Sequence, residues 1–349
     1  MLKPGMPLAV LGAGAWGSAL AVHASARNDV LLWARDPAQV QQMRRRGENT
    51  RYLPGVEFPE SLRLCDDLAE ALQHAAGGLV VLAVTVAGLR GMAQALREAW
   101  TRAEVALAPG VLILAKGFER DSALLPHQVV AQVFGDWRQR PQVGVLSGPS
   151  FALEVARGLP VALVAAAPSQ LAATAVRALH GGSMRVYASD DLTGVAVGGA
   201  VKNVLAIACG VSDGLRQGAN ARAALVTRGL AEMARLGLAL GGRQETFMGL
   251  SGLGDLVLTC TGELSRNRRV GLQLAAGKDL QAVVRELGHV AEGVHTARTV
   301  LELARAHEVD MPITEQVCAL LEQRIDAVAA LGALLAREAR SESETEPPR

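Results

Sequence analysis

The sequence predicts an amino-terminal α/β domain with a doubly wound parallel sheet, followed by an all-α carboxy-terminal domain. In the first half, short apolar β-rich runs alternate with helical patterns. After about Asp191 the strands stop, and apolar residues recur at i, i+3 and i+4. A chain of 349 residues is also long for one core. We therefore expect domains at 1–190 and 191–338, with a disordered charged tail at 339–349.

The elements follow from these two periodicities. The predicted strands are residues 8–11, 30–33, 79–84, 111–115 and 143–146, and 161–166 and 184–187 can extend the sheet. The predicted helices of the second domain are residues 219–240, 265–275, 280–287, 296–306 and 314–325.

Composition excludes several classes of protein. A formal charge of +1 and 3% aromatic residues give neither the field nor the stacking surface that nucleic acid needs. The seven histidines show no ligand spacing and the acidic residues do not cluster, so we expect no metal. The four cysteines stand far apart, without a CxxC pair, as reduced core residues do. With no secretory signal visible, we expect a cytoplasmic protein.

Residues 192–211 are long and apolar enough to be considered as a membrane span. They contain Gly194 and Gly198, whose spacing can mark helix dimers in lipid. Lys202 and Asn203 lie in the middle of this stretch, where charge opposes insertion. We therefore expect no membrane insertion.

A glycine motif directly follows the first predicted strand and opens a helix of small residues. Gly12 permits a tight turn, Gly14 lets backbone amides approach a pyrophosphate, and Gly17 lets the helix pack closely on the strand. The helix amino terminus favours the phosphates. The motif predicts a Rossmann-type domain that binds NAD(P).

The second predicted strand ends at Arg35 and Asp36, about where such folds read the adenosine ribose. An acidic residue there favours NADH, whereas an arginine can hold the 2′-phosphate of NADPH. Because Arg35 comes first, NADPH is favoured without excluding NADH. The alternative is that both residues merely cap the strand end.

Lysine is scarce, since only four lysines stand among 35 basic residues. Lysine differs from arginine in that its pKa falls on burial, so it can give and take a proton. Lys202 lies in the most apolar stretch of the chain, and Lys116 closes a strand where α/β sheets place their ligands. Lys202 could instead extend from a helix edge to solvent.

Three further segments combine small residues with isolated polar groups, at 147–152, 251–256 and 261–269. Asp255 lies among glycine and leucines and needs a partner if buried, for which Lys202 is the obvious candidate. The last segment predicts a helix start capped by Ser265, where amides, Arg266 and Asn267 can hold a phosphate. Its arginines could instead form a solvated basic face.

Eight segments in this order resemble the bacterial-type NAD(P)-dependent glycerol-3-phosphate dehydrogenases over nearly the whole chain. They are residues 12–17 (Gly-Ala-Gly-Ala-Trp-Gly), 52–55 (Tyr-Leu-Pro-Gly), 116–119 (Lys-Gly-Phe-Glu), 147–152 (Ser-Gly-Pro-Ser-Phe-Ala), 201–204 (Val-Lys-Asn-Val), 220–225 (Asn-Ala-Arg-Ala-Ala-Leu), 252–256 (Gly-Leu-Gly-Asp-Leu) and 264–269 (Leu-Ser-Arg-Asn-Arg-Arg). The resemblance implies reversible reduction of dihydroxyacetone phosphate to sn-glycerol 3-phosphate. This product supplies the backbone of phospholipids.

The resemblance also implies site residues. Lys202 matches the catalytic lysine, and we expect Lys116 and Asp255 to assist it. The substrate contacts that it implies are Lys116, Gly148, Ser150, Lys202, Asp255, Ser265, Arg266 and Asn267, to which we add Asn203 as a further donor. The cofactor contacts that it implies are Trp16, Arg35, Lys116, Ala152, Arg266, Val290 and Glu292, beside Gly12, Gly14, Ala15 and Gly17 of the glycine motif. Two positions depart from the family: Ala15 stands where serine is frequent, and Leu153 where lysine is frequent.

In the expected reaction, hydride reaches the ketone carbon while Lys202 protonates the developing alkoxide. Three rival functions stay open at this point. One is a β-hydroxyacid dehydrogenase acting on carboxylates, and another is a nucleotide-sugar dehydrogenase, which would need Cys260 as a reactive thiol. The third is a redox sensor that binds the cofactor without turnover. Since a large helical domain has apolar surface to cover, we also expect a homodimer.

Overall fold

The computed structural model describes residues 5–102, 110–287 and 291–336, which divide into two compact units. The first unit runs to Glu119 and takes in Leu124–Ala196, and the second takes in Arg120–Ala123 and continues from Val197. The division falls inside one long helix, Leu192–Gly214. The predicted tail at 339–349 lies outside the described residues.

A mostly parallel sheet forms the centre of the first unit. Its strands are β1 (Pro7–Leu11), β2 (Asp29–Trp33), β3 (Arg63–Cys65), β4 (Leu79–Leu82), β5 (Gly110–Ile113), β6 (Val143–Ser147), β7 (Val161–Ala166) and β8 (Met184–Ser189). Over the described residues the order is β3-β2-β1-β4-β5-β6-β7-β8, and only β6 and β7 pair antiparallel. The order of the first six strands is that of doubly wound dinucleotide-binding sheets, so the predicted fold class is confirmed.

The short strand β3 lies outside the predicted strands. Arg63 is exposed at its start and Cys65 is buried at its end, so these residues contain no apolar run from which a strand could be predicted. It pairs with β2 at the edge of the sheet. A three-residue edge strand that begins with a charged side chain is typical of sheets that avoid pairing with another chain.

Helices cover both faces of the sheet, and alternation along each strand divides the core in two. In β1, Leu8 and Val10 pack into one apolar cluster, whereas Ala9 and Leu11 pack into the other. A fully buried leucine contributes roughly 1.5–3 kcal/mol. The helices are α1 (Ala15–Ser25), α2 (Pro37–Arg46), α3 (Leu68–His74), α4 (Val86–Arg102), α5 (Pro126–Val133), α6 (Ala152–Ala156) and α7 (Ser169–Leu179).

The second unit consists of helices joined by turns and has no strand among its described residues, as predicted. It contains α8 (Leu192–Gly214, whose start belongs to the first unit), α9 (Gly218–Ala239), α10 (Gln244–Phe247), a π-helical turn (Leu250–Gly254), α11 (Asp255–Thr261), α12 (Arg266–Ala275), α13 (Leu280–Leu287), α14 (Glu292–Ala306), α15 (Pro312–Leu321) and α16 (Ala327–Leu335). The helix predicted at 314–325 is wrong at its end, because Gln323 takes a φ of 58°. The entirely apolar α16 shows no helical period and was not predicted.

Among the described residues, α8 is the one helix long and apolar enough to cross a membrane. Its most apolar stretch is wholly buried inside the protein, as a core helix is. A Cβ added at Gly198 would lie 2.5 Å from the carbonyl oxygen of Ser251 in the π-helical turn. Gly198 therefore permits close packing inside the second unit, which explains its place in the helix.

Glu232 joins two helices that are distant in sequence. Its carboxylate on α9 accepts hydrogen bonds from the amide of Ile313 at 2.6 Å and from the amide and hydroxyl of Thr314 at 3.2 and 3.1 Å. These amides begin α15, so the carboxylate caps that helix. Burial raises the pKa of Glu232 to about 7, although the hydrogen bonds oppose the rise.

Glu232 should make the stability of the fold depend on pH. Its pKa lies above the usual 4.5, so the folded chain binds this proton more tightly than the unfolded chain does. The resulting stabilisation is fully present below pH 4.5 and is lost as the pH rises through about 7. We expect Glu232→Gln to flatten this decline in the free energy of unfolding, measured by urea denaturation at several pH values. The exposed Glu263→Gln is the control, and an unchanged slope in Glu232→Gln would contradict the assignment.

Candidate active site

The glycine loop between β1 and α1 has the geometry that a pyrophosphate requires. Gly12 has a φ of 123°, and a Cβ at Gly17 would lie 2.0 Å from the carbonyl oxygen of Gly12. Packing of the protein itself therefore excludes side chains at these two positions. A Cβ at Gly14 would instead meet nothing within 4 Å, so its missing side chain leaves room beside the amino terminus of α1. The residues fit a dinucleotide there.

Four neighbouring residues complete this part of the first unit. Ala15 begins α1, and Trp16 packs partly buried against the core. Asp36 accepts a hydrogen bond from the amide of Ala38 at 3.0 Å, which makes it the cap of α2. Arg35 is exposed and makes no hydrogen bond or ion pair with any described residue. Asp36 is therefore a cap, as the alternative supposed, but it caps the start of a helix and not the end of a strand. The alternative does not hold for Arg35.

Lys116 lies after β5 and meets the loop that follows β6. Its ammonium donates a hydrogen bond to the carbonyl oxygen of Gly148 at 3.1 Å, and the hydroxyl of Ser150 donates to the same oxygen at 3.0 Å. Gly148 has a φ of 130°, a conformation that favours glycine. Ala152 begins α6 directly after this loop. The structure thus brings together Lys116, Gly148 and Ser150.

An ion pair that sequence reasoning missed anchors the segment after Lys116. Arg90 of α4 donates to both carboxylate oxygens of Glu119, at 2.9 and 2.6 Å, and also to Gln132 of α5 at 2.7 Å. Two-point pairing of this kind fixes orientation as well as distance. The partners are 29 residues apart, so no local spacing reveals them.

Lys202 and Asp255 form a buried ion pair in the second unit. Lys202 lies in the middle of α8 with 7% exposure, and Asp255 begins α11 with 1% exposure. The ammonium donates to a carboxylate oxygen of Asp255 and, at 3.0 Å, to the hydroxyl oxygen of Thr259. Thr259 in turn donates to the carbonyl oxygen of Asp255 at 2.6 Å. The alternative in which Lys202 extends to solvent is wrong, because both charges are paired inside the protein.

Thr259 is a site residue that sequence reasoning missed. It lies four residues after Asp255 on α11, so both side chains are on one face of the helix. That spacing was a usable signal once Asp255 had been singled out. The hydroxyl accepts from the ammonium in a second direction and so restrains its orientation beside Asp255.

A chain of amide hydrogen bonds extends the site from α8 to two helix starts. The side chain of Asn267 donates to the side-chain oxygen of Asn203 at 2.8 Å. It also accepts from the amide of Gly293 at 3.0 Å, where α14 begins with Glu292. The buried Ser265 caps α12 by accepting from an amide at 3.2 Å.

The three arginines at the start of α12 have different surroundings. Arg268 donates to Asp213 at 2.8 Å, and Asp213 also binds Arg222, so Arg268 belongs to a structural cluster. Arg266 and Arg269 are exposed, and Arg266 is the first residue of the helix. The solvated-face alternative therefore does not describe the whole run. Val290, an expected cofactor contact, lies outside the described residues.

The four cysteines are free and buried. The neighbouring Cys209 and burial raise the pKa of Cys260 well above its ordinary value. A reactive thiol needs the opposite, a lowered pKa. The structure thus argues against the nucleotide-sugar alternative. Over the described part of the chain, no group of three or more histidine, cysteine, aspartate or glutamate side chains could hold a metal ion.

Comparison with known proteins relates both units to one family. The models described as NAD-dependent glycerol-3-phosphate dehydrogenase N-terminus and C-terminus match residues 7–173 and 191–332. Proteins named glycerol-3-phosphate dehydrogenase [NAD(P)+] from Burkholderia orbicola (strain MC0-3) and Burkholderia cenocepacia (strain HI2424) are each 56% identical over 97% of this chain and 100% of their own. The crystal structure of the glycerol-3-phosphate dehydrogenase from Coxiella burnetii is 41% identical, covers 95% of this chain and 99% of its own, and has a TM-score of 0.87.

Proposed function

This chain belongs to the NAD-dependent glycerol-3-phosphate dehydrogenase family, and on that basis we propose that it reduces dihydroxyacetone phosphate to sn-glycerol 3-phosphate with NADH or NADPH. The observation that carries the proposal is the buried pairing of Lys202 with Asp255 and Thr259. A lysine enclosed in this way is positioned for proton exchange. The proposed reaction is reversible, and its product supplies the glycerol backbone of phospholipids.

Lys202 acts as the general acid of the reduction. A dihydronicotinamide cofactor held at the glycine loop would supply hydride to the carbonyl carbon, and the C=O π electrons would then move to oxygen. The ammonium of Lys202 gives that oxygen a proton and becomes an amine, so charge does not build up on the alkoxide. In the reverse direction the amine takes the hydroxyl proton. Asp255 and Thr259 orient the nitrogen in both directions.

Two further groups support the reaction in this proposal. Asn203 is buried beside Lys202 and acts as an additional donor to the substrate. Lys116 of the first unit is the second cation that the family resemblance implies. Its ammonium is held by the carbonyl oxygen of Gly148, next to Ser150.

We place the substrate phosphate at the amino terminus of α12. This helix has ten residues, and its first amides and the exposed Arg266 can bind a dianion. Asn267 is held at the same end by Asn203 and Gly293. Binding the phosphate there orients the distant carbonyl, so binding energy is used for alignment. A β-hydroxyacid dehydrogenase has no use for this helix start.

The glycine loop is our proposed pyrophosphate site, with NADPH favoured over NADH. Arg35 is exposed, whereas the Asp36 carboxylate is engaged as a helix cap. A guanidinium can bind the 2′-phosphate that distinguishes the two cofactors. We place the enzyme in the cytoplasm, as its four free thiols favour.

We also propose that the enzyme is a homodimer through the outer face of α16. The helix has no charged residue, yet Val328 is 66% exposed and Leu335 is 74% exposed. The two residues are seven positions apart and therefore lie on one face of the helix, and an exposed apolar face is typical of a surface that another chain covers. A second copy of the chain would bury them by symmetry.

The substitution Lys202→Arg tests the proton donor, because it keeps the charge and forfeits proton exchange. We expect kcat for reduction of dihydroxyacetone phosphate to fall roughly 10²- to 10⁴-fold, the scale of a positioned acid. The assay is the loss of NAD(P)H absorbance under saturating substrate. Lys278→Arg is the matched control, since that exposed lysine pairs with Glu286 in water. Near-normal turnover in Lys202→Arg would remove this residue from the role.

The substitution Arg35→Ala tests cofactor choice. We expect kcat/KM for NADPH to fall about 10- to 100-fold, the scale of a charge-assisted hydrogen bond to phosphate, with little change for NADH. The exposed Arg45→Ala in α2 controls for lost surface charge. Equal losses with both cofactors would assign Arg35 a role other than recognition of the 2′-phosphate.

The double substitution Val328→Asp, Leu335→Asp tests the dimer. Introducing a charge in an apolar interface leaves it desolvated and unpaired, so we expect the protein to elute as a monomer. Light scattering after size-exclusion chromatography measures the mass. Leu159→Asp in the first unit, where Leu159 is 48% exposed, is the control and should stay dimeric. A dimer that survives the double substitution would place the interface elsewhere.

A further inference from the structure

The Tyr52-Leu-Pro-Gly55 segment has no part in the reaction proposed above, and it is joined to the buried Asn49. Asn49 is 1% exposed, and its side-chain oxygen accepts from the amide of Tyr52 at 3.2 Å. Its side-chain nitrogen donates in the other direction, to the carbonyl oxygen of Ala13 at 2.9 Å and to the hydroxyl of Ser18 at 2.8 Å. Asn49 therefore ties this segment to the glycine loop and to α1.

A second amide reaches the same carbonyl. Gln39 of α2 donates from its side-chain nitrogen to the oxygen of Ala13 at 2.9 Å. A carbonyl oxygen has two lone pairs, so Asn49 and Gln39 together can satisfy it completely. Neither residue belongs to the glycine motif, and they approach from different points of the chain.

Fixing this carbonyl also fixes an amide. A peptide group is planar and trans, so the C=O of Ala13 and the N–H of Gly14 point in opposite directions. With the oxygen bound by two side chains, the N–H of Gly14 points away from them. Within the described residues no backbone carbonyl accepts from it. Gly14 is also where the structure leaves room for a ligand.

We infer that Asn49 and Gln39 are positioning residues for cofactor binding, which aim the Gly14 N–H at the pyrophosphate by holding the Ala13 carbonyl. The inference rests on the proposed cofactor site but not on the substrate or on Lys202. Holding the peptide in its binding orientation before the ligand arrives lowers the cost of ordering it afterwards. The two residues thus act on affinity for the pyrophosphate, without touching the cofactor.

The experiment compares ligands with and without a pyrophosphate. Dissociation constants are measured for NADPH, for 2′-phospho-ADP-ribose, which has the pyrophosphate, and for adenosine 2′-monophosphate, which lacks it. We expect Asn49→Ala to weaken binding of NADPH and of 2′-phospho-ADP-ribose by about tenfold. Gln39→Ala should weaken binding of the same two ligands by about threefold, and both effects are on the scale of one hydrogen bond. The dissociation constant of adenosine 2′-monophosphate should change by less than about twofold in every variant, because this ligand has no pyrophosphate.

Two further variants distinguish positioning from general damage. Asn49→Asp keeps the side-chain oxygen that accepts from Tyr52 but removes the N–H donors to Ala13 and Ser18. It should therefore weaken binding of NADPH as Asn49→Ala does. Gln42→Ala is the matched control, because Gln42 lies on the same helix and donates to Thr50 at 3.0 Å. We expect it to bind all three ligands as the unsubstituted protein does. Thermal melting without ligand shows which variants fold. If Asn49→Ala does not fold, Gln39→Ala still tests the inference, because Gln39 is only half-buried.

The inference is overturned if both Asn49 and Gln39 variants bind NADPH normally. It is also overturned if binding of adenosine 2′-monophosphate weakens by the same factor as binding of NADPH, since the substitutions would then damage the whole domain. If the unsubstituted protein binds neither NADPH nor 2′-phospho-ADP-ribose, the cofactor site itself fails. These results are distinct from loss of dihydroxyacetone phosphate reduction, because no substrate is present.

Discussion

The buried ion pair between Lys202 and Asp255 is the interaction on which the second unit depends. Removing two charges from water costs several kcal/mol for each ion, and only close contact with further hydrogen bonds offsets that cost. Thr259 provides one such bond to the ammonium. The helices that carry these residues must therefore approach closely, and the sequence must allow them to.

Glycine permits this approach at three contacts of α8. A Cβ at Gly198 would lie 2.5 Å from a carbonyl of the π-helical turn, and one at Gly210 would lie 2.0 Å from the carbonyl of Arg268. A Cβ at Gly271 on α12 would lie 2.1 Å from the carbonyl of Ile207. Backbone-to-backbone packing brings Asp255 and Asn267 within reach of neighbouring residues on one helix, Lys202 and Asn203. The small residues that make α8 resemble a membrane span are the same residues that make the site possible.

Periodicity and the glycine motif were enough to predict the sheet, the helical second unit and the likeness to a family, because these depend on local patterns. Lys202 stood out because a lone cation in an apolar stretch needs a reason. Arg90 and Asn49 could not be found in this way, since their partners lie 29 and 36 residues away. Such contacts depend on how the elements pack, which no local spacing encodes. Thr259 is intermediate, because its spacing from Asp255 was visible but meant nothing until Asp255 was known to be buried.

The π-helical turn Leu250–Gly254 also constrains which lengths of chain this family member can accept. A π turn has more residues than an α turn, and such turns occur frequently at functional sites. Deleting one of its residues would let an ordinary α-helix form, and the α-helix is locally the more stable structure. It would also rotate everything after it by about 100° about the helix axis, and Asp255 comes next. A single-codon deletion here would therefore leave every residue that we propose for catalysis in the gene and still turn the carboxylate of Asp255 away from Lys202.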